Sequence, residues 1–252
     1  MIREITAAIL ILTAAAPVSA QWINVPLAGT PRTQDGKPNL SAPTPKAPDG
    51  RPDLSGIWVA SEGKYLQNIT ADLAEVPFQP WAAALYNSRV DNLAKGRPTE
   101  RCLPHGIPDA MMVRSGPWKI VQTPTVTLIL FEEFNHYRQI FTDGRPLPET
   151  SQPAWFGYSI GRWDGDSFVV STAGFNDRSW LDDTGHPHSE AMKTTERFRR
   201  LDFGHMEMRV TIEDPETYLE PFTVTVPFNL QPDSELIEDI CENNREADTA
   251  GK

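Results

Sequence analysis

From about Lys119 onward, apolar and polar residues alternate in short runs. Val126 to Glu132, Tyr137 to Thr142, Tyr158 to Trp163, Ser167 to Thr172, Thr194 to Leu201, Met206 to Glu213 and Thr223 to Leu230 are rich in β-branched and aromatic residues and read as strands. Turn residues separate them, most clearly at Asp143-Gly144, Asp164-Gly165-Asp166 and Asp202-Phe203-Gly204. Period-two alternation puts Met206, Met208, Val210 and Ile212 on one face, with Glu207 and Arg209 on the other. In the same way Glu196 shares a face with Phe198 and Arg200, opposite Arg197 and Arg199. A further strand at Trp58 brings the total to about eight, joined mostly by hairpins, which favours an antiparallel barrel or sandwich over a parallel sheet.

Two segments carry helical spacing instead. Pro80 to Lys95 has proline in its first turn, Trp81, Leu85 and Leu93 near one face, and Gly96 as a stop. Asp233 and Ser234 offer an N-cap for a final helix with Leu236, Ile237, Ile240 and Cys241 on one side. The segment 22–53 holds Pro26, Pro31, Pro38, Pro43, Pro45, Pro48 and Pro52 among polar residues and reads as an extended arm. The loop from Arg97 to Gly116 is rich in proline and glycine and carries Cys102 and His105.

The opening residues set the compartment. Met1-Ile2-Arg3 is a basic start, Ala7 to Ala16 is an apolar run too short to span a bilayer, and Val18-Ser19-Ala20 has the form of a cleavage site. The expectation is a signal peptide and a periplasmic or secreted chain beginning near Gln21, without a membrane anchor. Exported cysteines meet an oxidising environment, so Cys102 and Cys241 form a disulfide more readily than a metal or catalytic pair; two separate buried thiols are the alternative. A net charge of −11 argues against nucleic acid and anionic membranes as partners.

Gly56-Ile57-Trp58 resembles the opening of lipocalin-like barrels, in which the tryptophan closes one end. The segments Tyr137 to Pro148, Gly157-Tyr158-Ser159, Gly174-Phe175-Asn176-Asp177 and Glu196-Arg197-Phe198-Arg199-Arg200 are similar to those of a family of exported soil-bacterial proteins, over about Pro52 to the final helix. That resemblance implies a β-rich domain and export, and it carries no reaction. The expected fold is therefore all-β in the main: an antiparallel lipocalin-like barrel with an inserted helix and a C-terminal helix. The expected organisation is a leader at 1–20, an arm at 21–52, a barrel domain with its C-terminal helix at 53–246, and a flexible tail at 247–252.

The densest chemistry lies between Asn176 and Glu190, where Asp177, Asp182, Asp183, His186, His188 and Glu190 crowd around Trp180. An imidazole near a carboxylate suits general base work at neutral pH. His188 or His186 is the candidate base, oriented by Asp177 or Asp183. Glu196 is the candidate acid, and Arg138 would hold an oxyanion or pair with a buried Glu196. Tyr158, Trp155 and Trp180 are candidate stacking surfaces for substrate. His186-x-His188 has a spacing that could face one metal, although the balance of residues favours no metal and no cofactor. No nucleophile elbow, phosphate loop or dinucleotide fingerprint occurs. Two uses of such a barrel follow: non-redox lyase or hydrolase chemistry on a small, partly aromatic or glycosidic compound, or carriage or sensing of a small molecule without turnover. A structural envelope role is a third use, and it leaves the acid- and histidine-rich loop without a task.

Overall fold

The computed structural model of the protein describes residues 25–149 and 152–241; the expected leader at 1–20 and tail at 247–252 lie outside them. Nine strands, each hydrogen-bonded to the next in chain order, close into a single barrel. They are β1 (Gly56–Ala60), β2 (Trp118–Gln122), β3 (Val126–Phe131), β4 (Tyr137–Phe141), β5 (Tyr158–Asp164), β6 (Ser167–Ala173), β7 (Lys193–Arg200), β8 (His205–Glu213) and β9 (Phe222–Leu230). The strand beyond the expected count is β2, a short run that follows directly on the proline- and glycine-rich loop.

An odd number of strands cannot close with antiparallel neighbours throughout, so one pair must run parallel. That pair is β4 and β5, where Ile140 lies opposite Ser159. β4 ends at the opposite end of the barrel from the start of β5. The barrel has two distinct ends. At the lower end lie the start of β1 and the turns 123–125, 165–166 and 201–204; at the upper end lie 61–79, 132–136, 174–192 and 214–221.

Strict alternation turns one face of every strand inward. Phe168, Phe198, Met208 and Val226 form one interior layer, and Val170, Glu196, Val210 and Val224 form the next. All eight are buried, so side chains fill the middle of the lumen. Trp58 is also fully buried; its indole N–H donates to the Leu54 carbonyl at 3.0 Å, and the Arg200 guanidinium lies 4.9 Å from its ring. This closes the lower end beneath β1, β7 and β9.

Two helical expectations need correction. The inserted helix, α2 (Pro80–Asp91), forms after a short first helix, α1 (Lys64–Gln67), but Leu93 and Ala94 turn left-handed and end it early. Trp81 and Leu93 are 48% and 83% exposed, so the expected apolar stripe is not the packed face. Ala82, Tyr86 and Arg89, at spacings of four and three, make that face: Tyr86 lies 4.2 Å from the His186 ring, and Arg89 donates to the Gly185 carbonyl at 2.8 Å. The C-terminal helix does not form in the described residues, and 235–241 is irregular. Asp233 adopts a left-handed conformation, and its carboxylate is taken by Arg32 and the Leu27 N–H rather than by a helix of its own. The Ile237 N–H is used by Glu132 and the Asp239 carbonyl by Asn135, so the segment spends its hydrogen bonds on the barrel.

The disulfide joins Cys102 to Cys241, with Cα atoms 5.6 Å apart and a sequence separation of 139. The arm lies across the lower end in two tight turns closed by the bridges Arg32–Pro38 and Lys46–Pro52. Among the described residues, no helix is long and apolar enough to cross a membrane.

Candidate functional site

The acid- and histidine-rich loop is a buried plug over the upper end. Asp182 holds it together, accepting from the backbone N–H groups of Ile69, Gly185 and His186 and from His186 Nδ1 at 2.5 Å. His186 Nε2 meets the Thr70 hydroxyl at 3.1 Å. His188 enters a different network: its Nδ1–H donates to the Ser189 carbonyl at 3.2 Å, leaving Nε2 to accept from the Ser179 hydroxyl at 2.7 Å. Burial holds the His188 imidazole below its ordinary range, against the Ser189 carbonyl and the carboxylates of Asp214 and Asp177. A serine hydroxyl donating to a neutral imidazole is the ground state of a nucleophile pair. Here it is sealed, because Ser179 is 2% exposed and a Cβ on Gly106 would fall 2.4 Å from its Oγ.

Glu196 and Arg138 meet in the lumen. Arg138 Nη1 lies 3.0 Å from Glu196 Oε1 and Nη2 lies 2.5 Å from Oε2, with side chains 1% and 0% exposed. Ser159 and Thr172 accept the remaining donors at 3.1 and 2.7 Å. Both carboxylate oxygens accept from the guanidinium.

The other expected site residues are scattered. Asp177 is exposed, and Asp183 pairs with Arg97 at 3.0 Å. Trp180 lies under Arg89 and Trp155 under Arg178, while Tyr158 stacks on Phe141 at 5.2 Å, on the strand face opposite the lumen-facing Ser159. Among the described residues no hydrogen bond joins His188 to Glu196. Nor do three or more His, Cys, Asp or Glu side chains gather there as a metal-holding group.

Sequence reasoning missed His105, Asp109 and Glu133. Asp109 Oδ2 lies 2.6 Å from His105 Nδ1, and Glu133 Oε1 lies 3.0 Å from Nε2. Burial lowers the imidazole pKa, yet the attraction of Asp109 and then Glu133 outweighs it and pushes it up to about 11. Burial pushes the Asp109 carboxyl up to about 7 against the pull of His105. The only prior signal was the four-residue spacing of His105 and Asp109. Among the described residues Asp109 Oδ1 and Arg97 Nε have no hydrogen-bond partner, and both residues line a void of about 10 Å³, the size of one water.

The signs separate these two groups by pH. Asp109 binds its proton more tightly when folded, so its contribution is present below about pH 4 and is lost by about pH 7. The His105 contribution is complete below about pH 6.5 and is lost as pH rises towards 11. Between about pH 7 and 10 the urea midpoint should therefore fall more steeply in the wild type than in the double variant His105→Gln, Asp109→Asn, which removes the carboxyl that would otherwise titrate higher once His105 is gone. Equal slopes would remove the charged His105 from the account.

A different opening lies at the lower end. A cleft of about 700 Å³ runs between the arm turn at 47–52 and the barrel mouth beside β2 to β5. Register turns Gln122, Thr127, Gly161 and Trp163 towards the lumen there, because each pairs with an inward residue. Trp163 packs on Phe168 with ring centroids 5.4 Å apart. A Cβ on Gly161 would meet Phe168 at 2.5 Å and Ile140 at 2.8 Å, so these two side chains floor the cleft and separate it from the Arg138–Glu196 pair.

No family model matches the chain, and no curated protein does. Among solved structures it is similar to a variant of the fluorescent protein UnaG, at 13% identity over 72% of this chain and 97% of that one, with a TM-score of 0.33. At that level the similarity says nothing of ligand or activity. The closed barrel rests on the strand pairing itself.

Proposed function

We propose that the protein binds a small molecule at the lower mouth of its barrel and releases it unchanged, as a carrier or sensor. The observation that supports this reading is the cleft of about 700 Å³, within the range of small-molecule sites. Trp163 offers it a flat apolar surface, and the floor keeps ligand away from the buried ion pair. Acid–base turnover has less support, because His188 and Glu196 sit in separate networks with their polar atoms occupied. The leader-like residues 1–20 and the disulfide support export into an oxidising compartment.

The test is a thermal-shift screen of small molecules against wild type and Trp163→Ala, with every hit incubated and analysed for product. Hits should stabilise the wild type, lose most of that effect in the variant and come back intact. Chemical conversion of a hit by the wild type would restore the lyase or hydrolase reading. Stabilisation unchanged in Trp163→Ala would move the site elsewhere.

A further inference from the structure

The polar groups along the mouth are unequally divided between donors and acceptors. Arg51 lines it from the arm, and Arg162 lines it from the rim, on the outer face of β5 opposite Trp163 and past the end of β4; both carry only donors. Gln122 also lines it, and its carbonyl oxygen already accepts the Leu54 N–H at 2.6 Å, which leaves the amide nitrogen as its remaining group. Asp49 is the only carboxylate among the lining residues, and it sits 3.7 Å from the Arg51 guanidinium. The apolar part is flat: the Trp163 indole, backed by Phe168, with Pro48, Pro52 and Pro124.

A surplus of donors calls for a ligand rich in acceptors, and two guanidinium groups favour that ligand carrying negative charge. Flat walls favour a planar body, which can stack on the indole and take the edge of a guanidinium. The Thr123, Thr127 and Thr142 hydroxyls also line the cleft and can accept, but they carry no charge to match the two guanidinium groups. We propose, on the reading that this mouth is the binding site, that its ligand is a planar aromatic carboxylate. The ring system lies against Trp163, and the carboxylate turns outward to Arg162 and Arg51. This local preference runs against the net charge of −11 over the whole chain, so it depends on those two side chains and weakens with salt.

The probe pair is 2-naphthoate and 2-naphthamide, which share shape and differ in charge, titrated into the full mature protein by calorimetry. The carboxylate should bind roughly tenfold or more tightly than the amide at low salt. The double variant Arg51→Gln, Arg162→Gln changes exposed side chains only, and should bring the carboxylate down to the affinity of the amide while leaving the amide unchanged. Trp163→Phe, which keeps a ring in place, should weaken both ligands to a similar degree.

Equal binding of the two ligands, or full retention of the preference in the double arginine variant, would overturn the carboxylate assignment. In that case loss of both ligands in Trp163→Phe would leave the mouth standing as a site for neutral planar compounds. Binding of neither ligand at millimolar concentration, or binding of both that Trp163→Phe leaves untouched, would overturn the mouth as well as the ligand class.

Discussion

Replacing Arg138 with methionine is expected to lower the unfolding free energy by about 3 to 5 kcal/mol, because it leaves Glu196 buried without a counter-charge. The pair lies inside the barrel, with both carboxylate oxygens on the guanidinium and Ser159 and Thr172 accepting its other donors. Removing one member costs the desolvation of the other; removing both does not. Arg138→Met combined with Glu196→Leu should therefore recover most of the loss, since an apolar pair fills similar volume without a charge to bury. Urea unfolding of the wild type, both single variants and the double variant measures the coupling, and the melting temperature of the single variants should fall by roughly 10 °C. Additive losses in the double variant would mean that the two side chains contribute by packing and not as an ion pair. Retention of ligand binding by the folded double variant is also expected, since Ile140 and Phe168 separate the pair from the mouth.

The second large effect is expected at the disulfide. Joining Cys102 to Cys241 closes a loop spanning 139 residues of separation, for which the chain-entropy relation gives about 5 kcal/mol of restriction on the unfolded state. Strain in the bridge or residual structure in the unfolded chain reduces that figure. The bridge has a local task too, since it anchors 235–241, a segment without regular structure, to the loop that holds His105 and Asp109. Cys102→Ser with Cys241→Ser should lower stability by about 3 to 5 kcal/mol, read from urea unfolding, and raise amide exchange along 235–241. In material exported by cells, intact mass should show a chain beginning at Gln21 and lighter than the dithiol by the two hydrogens of the bridge. Labelling of both cysteines in native exported protein would overturn the bridge, and a retained leader would overturn export.

How much of this was legible beforehand follows from the range of each interaction. The strands from Val126 to Leu230 were readable because each has a period-two pattern bounded by turn residues, and that pattern is local. β2 was lost because its five residues form a short run that follows directly on a proline- and glycine-rich loop. The inward direction of Glu196 followed from Phe198 on the same face, and the need of a buried carboxylate for a cation left Arg138 or a histidine as its partner, of which the fold supplies Arg138. Helical spacing misled twice. In α2 the packed face uses Tyr86 and Arg89, whose ring and guanidinium serve the plug rather than an apolar core, and at the C-terminus the donors and acceptors were claimed by the barrel.

The sequence by itself determined the alternation of inward and outward side chains and the charge that disfavours nucleic acid, because each depends on composition or on neighbours a few residues apart; that Cys102 and Cys241 meet was an expectation the fold had to fulfil. Only the tertiary structure decided that the histidine loop is a buried plug, that His186 and His188 serve separate networks, and that the opening lies at the other end beside Trp163. Those outcomes depend on the closure of nine strands with one parallel pair, which brings residues far apart in the chain to the same end of the barrel. Burial then changes the chemistry: a carboxylate or imidazole that would titrate in solvent becomes part of the framework once every polar atom has a partner.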